Sequence, residues 1–301
     1  MLNFLKTYAL FISMLVGIVF HKYLAWMSPV TGYILFLMLL ITYCRVSPRQ
    51  LKPEPLHFRM ACVQIAGCFL VYWVLAPFNL DLAYGSMLCV LSPTATSAPV
   101  FAALLGGSVA TLATYCIASN LSVAFLAPLT FSLLGAHGAT EELTFIEAFV
   151  TICVKVMPLL LGPFVLAALM KKITPKVHSR LQNVQILSFW LWVVALGILM
   201  AKITSDFIIL EEKMHSAAII LALGSAVICI TQFSVGWYLG GKHKNRVAGG
   251  QGLGQKNTIL AIWMAQSFFN PVVAIAPAAY VLWQNLINSY QLWRHRKGNQ
   301  N

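Results

Sequence analysis

Two short polar, helix-breaking runs stand inside otherwise apolar stretches, and they hold most of the chemistry available to this sequence. The first is Ser92-Pro93-Thr94-Ala95-Thr96-Ser97-Ala98-Pro99; the second is Gly249-Gly250-Gln251-Gly252-Leu253-Gly254-Gln255-Lys256-Asn257. Proline lacks a backbone donor and glycine tolerates non-helical dihedrals, so both runs are expected to unwind. A helix that restarts after a break presents unpaired N–H groups and the positive end of its dipole. Restarts near Ser97 and Asn257 therefore predict an anion-binding pair, with Thr94, Thr96, Asn257 and Thr258 as side-chain donors and Gln255 beside them. Lys256 lies about 10 residues, or ~15 Å of helix, beyond Arg246, deeper than a lysine stem snorkels with ease. An ammonium at that depth is costly, which marks it as a substrate counter-charge or a titrating coupling group. Its structural alternative is to cap loose carbonyls of the break.

The elements that would hold these residues are membrane-spanning helices. Of the 301 residues 59% are hydrophobic and only 9% charged, which excludes an ordinary soluble globular chain. A span needs about 20 apolar residues. The candidates are Leu2 to Phe20, Pro29 to Cys44, Met60 to Phe78, Leu82 to Leu105, Ala110 to Leu134, Phe145 to Met170, Gln185 to Ile203, Ser216 to Leu239, Val247 to Phe269 and Pro271 to Trp293, about ten in all. No soluble domain fits beside them, so residues 1–301 are read as a single membrane domain. The apolar start has no small-residue cleavage pattern and is taken as the first span.

Charge sets the topology. Lys6, then Arg45, Arg49, Lys52 and Arg59, then Lys171, Lys172, Lys176 and Arg180, then Lys242, Lys244 and Arg246, then Arg294, Arg296 and Lys297 fall on one side; only Lys22, Lys202 and Lys213 fall on the other. The positive-inside rule puts both termini in the cytoplasm and the acidic loop Glu141, Glu142, Glu147 outside, as expected for a multi-pass inner-membrane protein. The net charge of +12 is thereby absorbed by topology, and no nucleic-acid partner is implied. The two interruptions fall in the fourth and ninth spans. Five spans is an odd number, so a second five-span half would run inverted, giving repeats at about 1–135 and 145–296 with a central binding site.

At these residues the chain resembles the bile acid:sodium symporter family. The family's Pro-Gly-Gly-Thr-Ala-Ser-Asn crossover motif is resembled by Pro93-Thr94-Ala95-Thr96-Ser97-Ala98-Pro99, its Gly-Asp-Val-Ala by Gly107-Ser108-Val109-Ala110, its Glu-x-Gly-Met-Gln-Asn by Gly252-Leu253-Gly254-Gln255-Lys256-Asn257, and its last-helix Gln/His-Asn pair by Gln284-Asn285. The resemblance implies ten helices in two five-helix inverted repeats, a panel domain of spans one, two, six and seven, and a core domain in which broken helices four and nine cross. It carries over Thr96, Asn257 and Asn285 as substrate contacts. The family's sodium ligands read here as Ala98, Pro99, Gly252 and Lys256, with Leu112 and Cys116 in place of fifth-span hydroxyls, so the sodium sites look dismantled. An ammonium at such a position can stand where a cation would sit. The expected activity is sodium-independent transport of a small organic anion, a carboxylate or sterol conjugate, either coupled to protons through Lys256 or uncoupled.

Asn120, Gln64, Gln232, Gln284, Asn285 and Asn288 lie at depth and either line a cavity or bond between helices. Trp263 follows Lys256 by seven residues on the same helix face, and Lys155 lies about 8 residues beyond Glu147. No cofactor or metal is expected, because the histidines (His21, His57, His137, His178, His215, His243, His295) fall in loops or at span ends and the seven cysteines lack paired spacing. The acids Glu54, Asp81, Glu141, Glu142, Glu147, Asp206, Glu211 and Glu212 are likewise peripheral, which argues against a membrane enzyme. A channel or a non-transporting receptor on the same scaffold is the competing reading. The expected partners are the bilayer and the small anion; nothing fixes the oligomeric state, and a monomer suffices.

Overall fold

The computed structural model describes residues 2–45, 52–134, 144–209 and 213–298. Arg49, His137, Glu141, Glu142, Glu211 and Glu212 lie outside the described residues, as do the side chains of Lys6, Lys213, His215 and Arg296. Among the described residues the regular elements are helical, and the chain is an all-α protein built from membrane-capable helices.

In chain order these are α1 (Leu2–Val19), α2 (His21–Leu24), α3 (Val30–Cys44), α4 (Pro55–Leu75), α5 (Leu80–Leu91), α6 (Ala98–Leu104), α7 (Val109–Leu133), α8 (Phe145–Ile173), α9 (Pro175–Asn183), α10 (Gln185–Ile209), α11 (Lys213–Lys242), α12 (Arg246–Gly254), α13 (Thr258–Phe268) and α14 (Ile275–Gly298). Among the described residues five stretches are long and apolar enough to cross a membrane: Pro55–Leu75, Val109–Leu133, Phe145–Ile173, Ile186–Ile208 and Ser216–Lys242. A sixth arises if the bent pair His21–Met27 and Val30–Cys44, at 65° to each other, is one span.

Local signals explain where several helices begin. Asn79 caps α5 by accepting from the Leu82 N–H at 2.8 Å, and Thr144 with Glu147 forms a capping box at the start of α8. Pro55 supplies the first residue of α4, where its missing N–H costs nothing. The short helix α9, with Pro175 at its start and Lys176 and Arg180 exposed, occupies a stretch read from sequence as a plain basic loop.

The chain divides into two compact units. The first comprises Met1–Val46, Ala124–His215 and Ile262–Val272; here α1 packs on α10 and α3 packs on α8 and α10. The approach of α1 to α10 is close because glycine faces glycine: a Cβ at Gly17 would lie 2.4 Å from the Gly197 carbonyl oxygen. In this unit Lys155 is exposed, with its ammonium 5.8 Å from the Phe268 ring centre.

The second unit comprises Ser47–Val123, Ser216–Ala261 and Val273–Asn301, and packs α4 and α14 on α5 and α12 on α6. Here the structure corrects one expectation. The glycine run was expected to unwind, yet Gly249 to Gly254 lie within helix α12, and only Gln255 to Asn257 leave the helical path. The reason is packing. A Cβ on Gly249 would sit 2.2 Å from the Gly236 carbonyl oxygen, one on Gly250 2.2 Å from the Trp237 ring, and one on Gly254 2.3 Å from the Phe233 ring. These glycines are small so that α11 can lie against α12, and tertiary contact overrides their poor helix propensity.

Candidate functional site

The site grows out of one backbone problem in the second unit. Helix α5 ends at Leu91, and its last carbonyls need donors that the broken chain cannot supply. The Cys89 carbonyl would ordinarily accept from residue 93, but Pro93 has no N–H; Gln232 Nε2 donates to it instead at 3.2 Å. Gln64 Nε2 donates to the Leu91 and Ser92 carbonyls at 2.8 and 3.0 Å. The Thr94 carbonyl accepts from Asn120 Nδ2 at 3.3 Å and from the Cys116 thiol at 3.3 Å. The Val90 carbonyl, and Ser92 a second time, accept from the Lys256 ammonium at 2.9 and 3.0 Å, the capping of loose carbonyls that was the structural alternative for this lysine.

Lys256 reaches them because the two breaks cross. Thr94 and Lys256 form an isolated antiparallel bridge, flanked by Ala95 N–H donating to the Gln255 carbonyl at 2.9 Å and Asn257 N–H donating to the Pro93 carbonyl at 2.8 Å. Helix α12 is closed off in the same way. Thr94 Oγ1 donates to the Gly252 carbonyl at 2.7 Å and Tyr280 Oη to the Gly254 carbonyl at 2.9 Å, while the Lys256 N–H donates to Gln284 Oε1 at 3.0 Å.

Lys256 is 1% exposed, and among the described residues no carboxylate hydrogen-bonds its ammonium. The cation is compensated instead by peptide carbonyls at the C-terminal end of α5, which is the negative end of that helix.

The residues singled out from sequence fall into two groups. Thr94, Asn120, Gln255, Lys256 and Gln284 are buried inside this knot. Gln255 donates to Ser97 Oγ at 3.3 Å and accepts from Asn288 Nδ2 at 2.6 Å, so its amide is also spent internally. Asn285 is not brought to the crossing by hydrogen bonding: its amide donates to the Val281 carbonyl of its own helix at 2.6 Å. The second group stands where the helices restart. Thr96 and Ser97 are partly exposed at the rim. Asn257 and Thr258 are 9% and 2% exposed, and Asn257 uses its Oδ1 to accept from the Leu260 N–H at 3.3 Å, capping α13.

Several buried polar residues that hold the knot were not singled out from the sequence. Tyr115 and Ser119 donate to Gln64 Oε1 at 2.9 and 3.1 Å, and Gln251 donates to Asn288 at 2.9 Å. Tyr280 stands four residues before Gln284, one turn away on the same helical face, and that spacing was the available signal. Trp263 belongs to the first unit and contacts Phe268 edge-on.

Removing the Tyr280 hydroxyl tests the closure of α12. Tyr280→Phe leaves the Gly254 carbonyl without its donor and costs about 1–2 kcal/mol. A double-mutant cycle with Gln232→Leu, whose amide donates to the same hydroxyl at 3.0 Å, is expected to show coupling in thermal or denaturant melts. Strictly additive losses would mean that the two residues stabilise the break independently.

No protein-family model matches the chain, and none of the curated proteins matches it significantly.

Proposed function

We propose that this protein is a secondary transporter that moves a small organic anion by alternating access, without sodium, and with Lys256 acting as a tethered cation at the crossing of two broken helices. On this reading α5 with α6 and α12 with α13 each count as one broken span, giving ten spans in two inverted five-span repeats within the inner membrane and both termini in the cytoplasm. The resemblance to the bile acid:sodium symporter family supports the same arrangement, and so does the basic bias of one set of loops.

The observation that carries the proposal is the buried ammonium bonded to the Val90 and Ser92 carbonyls. Carbonyls at a helix C-terminus are a natural ligand set for a hard monovalent cation. A covalently held ammonium fills that need permanently, so an imposed sodium gradient has nothing to act on. On this reading substrate meets the N-terminus of the restarting helix α13 beside Asn257 and Thr258, which are buried at rest, with Thr96 at the rim. That end of the break suits a carboxylate. Proton coupling, if present, runs through Lys256, because loss of its proton would remove the positive charge from the crossing.

Reconstitution in proteoliposomes tests this. Saturable counterflow of a small labelled carboxylate is expected, unchanged when sodium is replaced by potassium or choline. Uptake that follows an imposed sodium gradient and ignores pH would sink the proposal; flux that never saturates would make the protein a channel.

A further inference from the structure

The first unit contains a cavity of about 460 Å³ that the crossing does not use, lined by Ala25, Trp26, Ser28, Pro29, Lys202, Trp263, Gln266 and Ser267. Its volume lies in the range of small-molecule sites. Three features give it a chemical character.

Lys202 lies inside the apolar stretch Ile186–Ile208 and donates to Asp206 one turn along the same helix. Ionisable residues within a span seldom lack a function, and Lys202 opens onto a cavity rather than being sealed in the core. Next, the amide of Gln266 is half committed: its Oε1 accepts from Ser28 Oγ at 3.5 Å, whereas its Nε2 is buried without a hydrogen-bond partner. A buried amide donor left unpaired costs roughly 1–3 kcal/mol, so it is a group awaiting an acceptor. Finally, two indoles border the space, Trp26 being 74% exposed and Trp263 partly buried. Large apolar faces beside an ammonium, an amide donor and two serine hydroxyls match a compact ligand with an acceptor head and a flat or apolar body.

We infer that this cavity is a second binding site, for a small carboxylate with an aromatic or apolar body, in which the ligand's carboxylate displaces Asp206 from Lys202 and the Gln266 amide turns its buried Nε2 to donate to it. The role of the site as the place where the cargo first docks rests on the transporter reading; the binding does not. The positive-inside assignment puts the Lys202 end of α10 on the face opposite the cytoplasm. A paired lysine there has a clear advantage: at rest its charge is neutralised by Asp206, and binding exchanges one carboxylate for another.

The sign of the Asp206 effect decides the matter. Equilibrium dialysis of labelled benzoate, benzamide and benzamidinium against the detergent-purified protein compares three bodies of nearly equal shape carrying negative, no and positive charge. Benzoate is expected to bind saturably. Asp206→Asn frees the ammonium and tightens benzoate by about tenfold, Lys202→Gln weakens it by about tenfold or more, and benzamide responds to neither. Trp26→Ala, at a largely exposed position that the fold does not depend on, weakens all three and serves where the charge variants fail to accumulate. The inference is overturned if benzoate does not saturate, if Asp206→Asn leaves its affinity unchanged or lowers it, or if benzamidinium is the tighter ligand. Benzoate binding that responds to Lys256→Gln but not to Lys202→Gln also overturns it while leaving the transporter reading intact. Lys202-dependent binding in a protein with no counterflow would do the reverse.

Discussion

Lys256→Met will lower the melting free energy by about 3 kcal/mol and, on the transporter reading, reduce anion counterflow at least ~100-fold, while sodium is expected to leave the native protein unaffected and to stabilise the smaller variant Lys256→Ala. Methionine keeps most of the lysine stem and its packing, so the loss comes from the ammonium. Two charge-assisted hydrogen bonds disappear; the Ser92 carbonyl still has Gln64, but the Val90 carbonyl has no remaining donor. Against this stands a gain, because the methionine variant no longer buries a charge. The loss outweighs the gain because the ammonium lies against the negative end of α5, where the field of the last peptide units has already offset its desolvation. Lys256→Ala removes the stem as well and opens room beside the same carbonyls. A free monovalent cation can then enter, and a rise in thermal stability with sodium or methylammonium, absent in the native protein, is the expected signature. Melting curves and counterflow that are unchanged in Lys256→Met would remove the tethered cation from the mechanism altogether.

The other large effect lies in the glycine run. Gly250→Leu should prevent accumulation of folded protein, and even Gly250→Ala should cost more than ~3 kcal/mol. A Cβ at this position falls 2.2 Å from both Cδ1 and Nε1 of Trp237, far inside van der Waals contact. Trp237 cannot give way freely, since Phe233 lies one turn away against the same helix with its ring 5.8 Å from that of the tryptophan. Gly241→Ala provides the control. Nothing lies within 4 Å of its added Cβ, so the same chemical change in α11 should be neutral or slightly stabilising through helix propensity. Expression and size-exclusion profiles of the two alanine variants make the comparison. Equal tolerance would show that α11 and α12 can separate without penalty.

What could be read from the sequence, and what could not, follows from the range of the forces involved. Pro93 fixes the first break locally, because a missing N–H and a restricted preceding residue act within one turn. The depth of Lys256 is likewise a matter of counting along the chain. The behaviour of Gly249 to Gly254 was not readable, since isolated propensity favours unwinding and only the presence of Trp237 and Phe233 on α11 reverses it. The fate of Thr94 was hidden for the same reason. Its hydroxyl looked free to meet a ligand, yet the partner it finds, the Gly252 carbonyl, lies 158 positions away. Nor did periodicity show that Lys202 would border a cavity with Trp26 and Trp263, because residues 26, 202 and 263 belong to three separate helical segments.

The antiparallel bridge between Thr94 and Lys256 has a mechanical consequence. Two main-chain hydrogen bonds, the threonine hydroxyl and the lysine ammonium all tie the strand-like residues of one break to the other. Sliding one against the other would rupture five bonds at once, since the ammonium alone makes two, among residues that are buried. If the protein alternates its access as proposed, the pair must therefore travel as a rigid block, and the hinges belong outside residues 89–97 and 252–257.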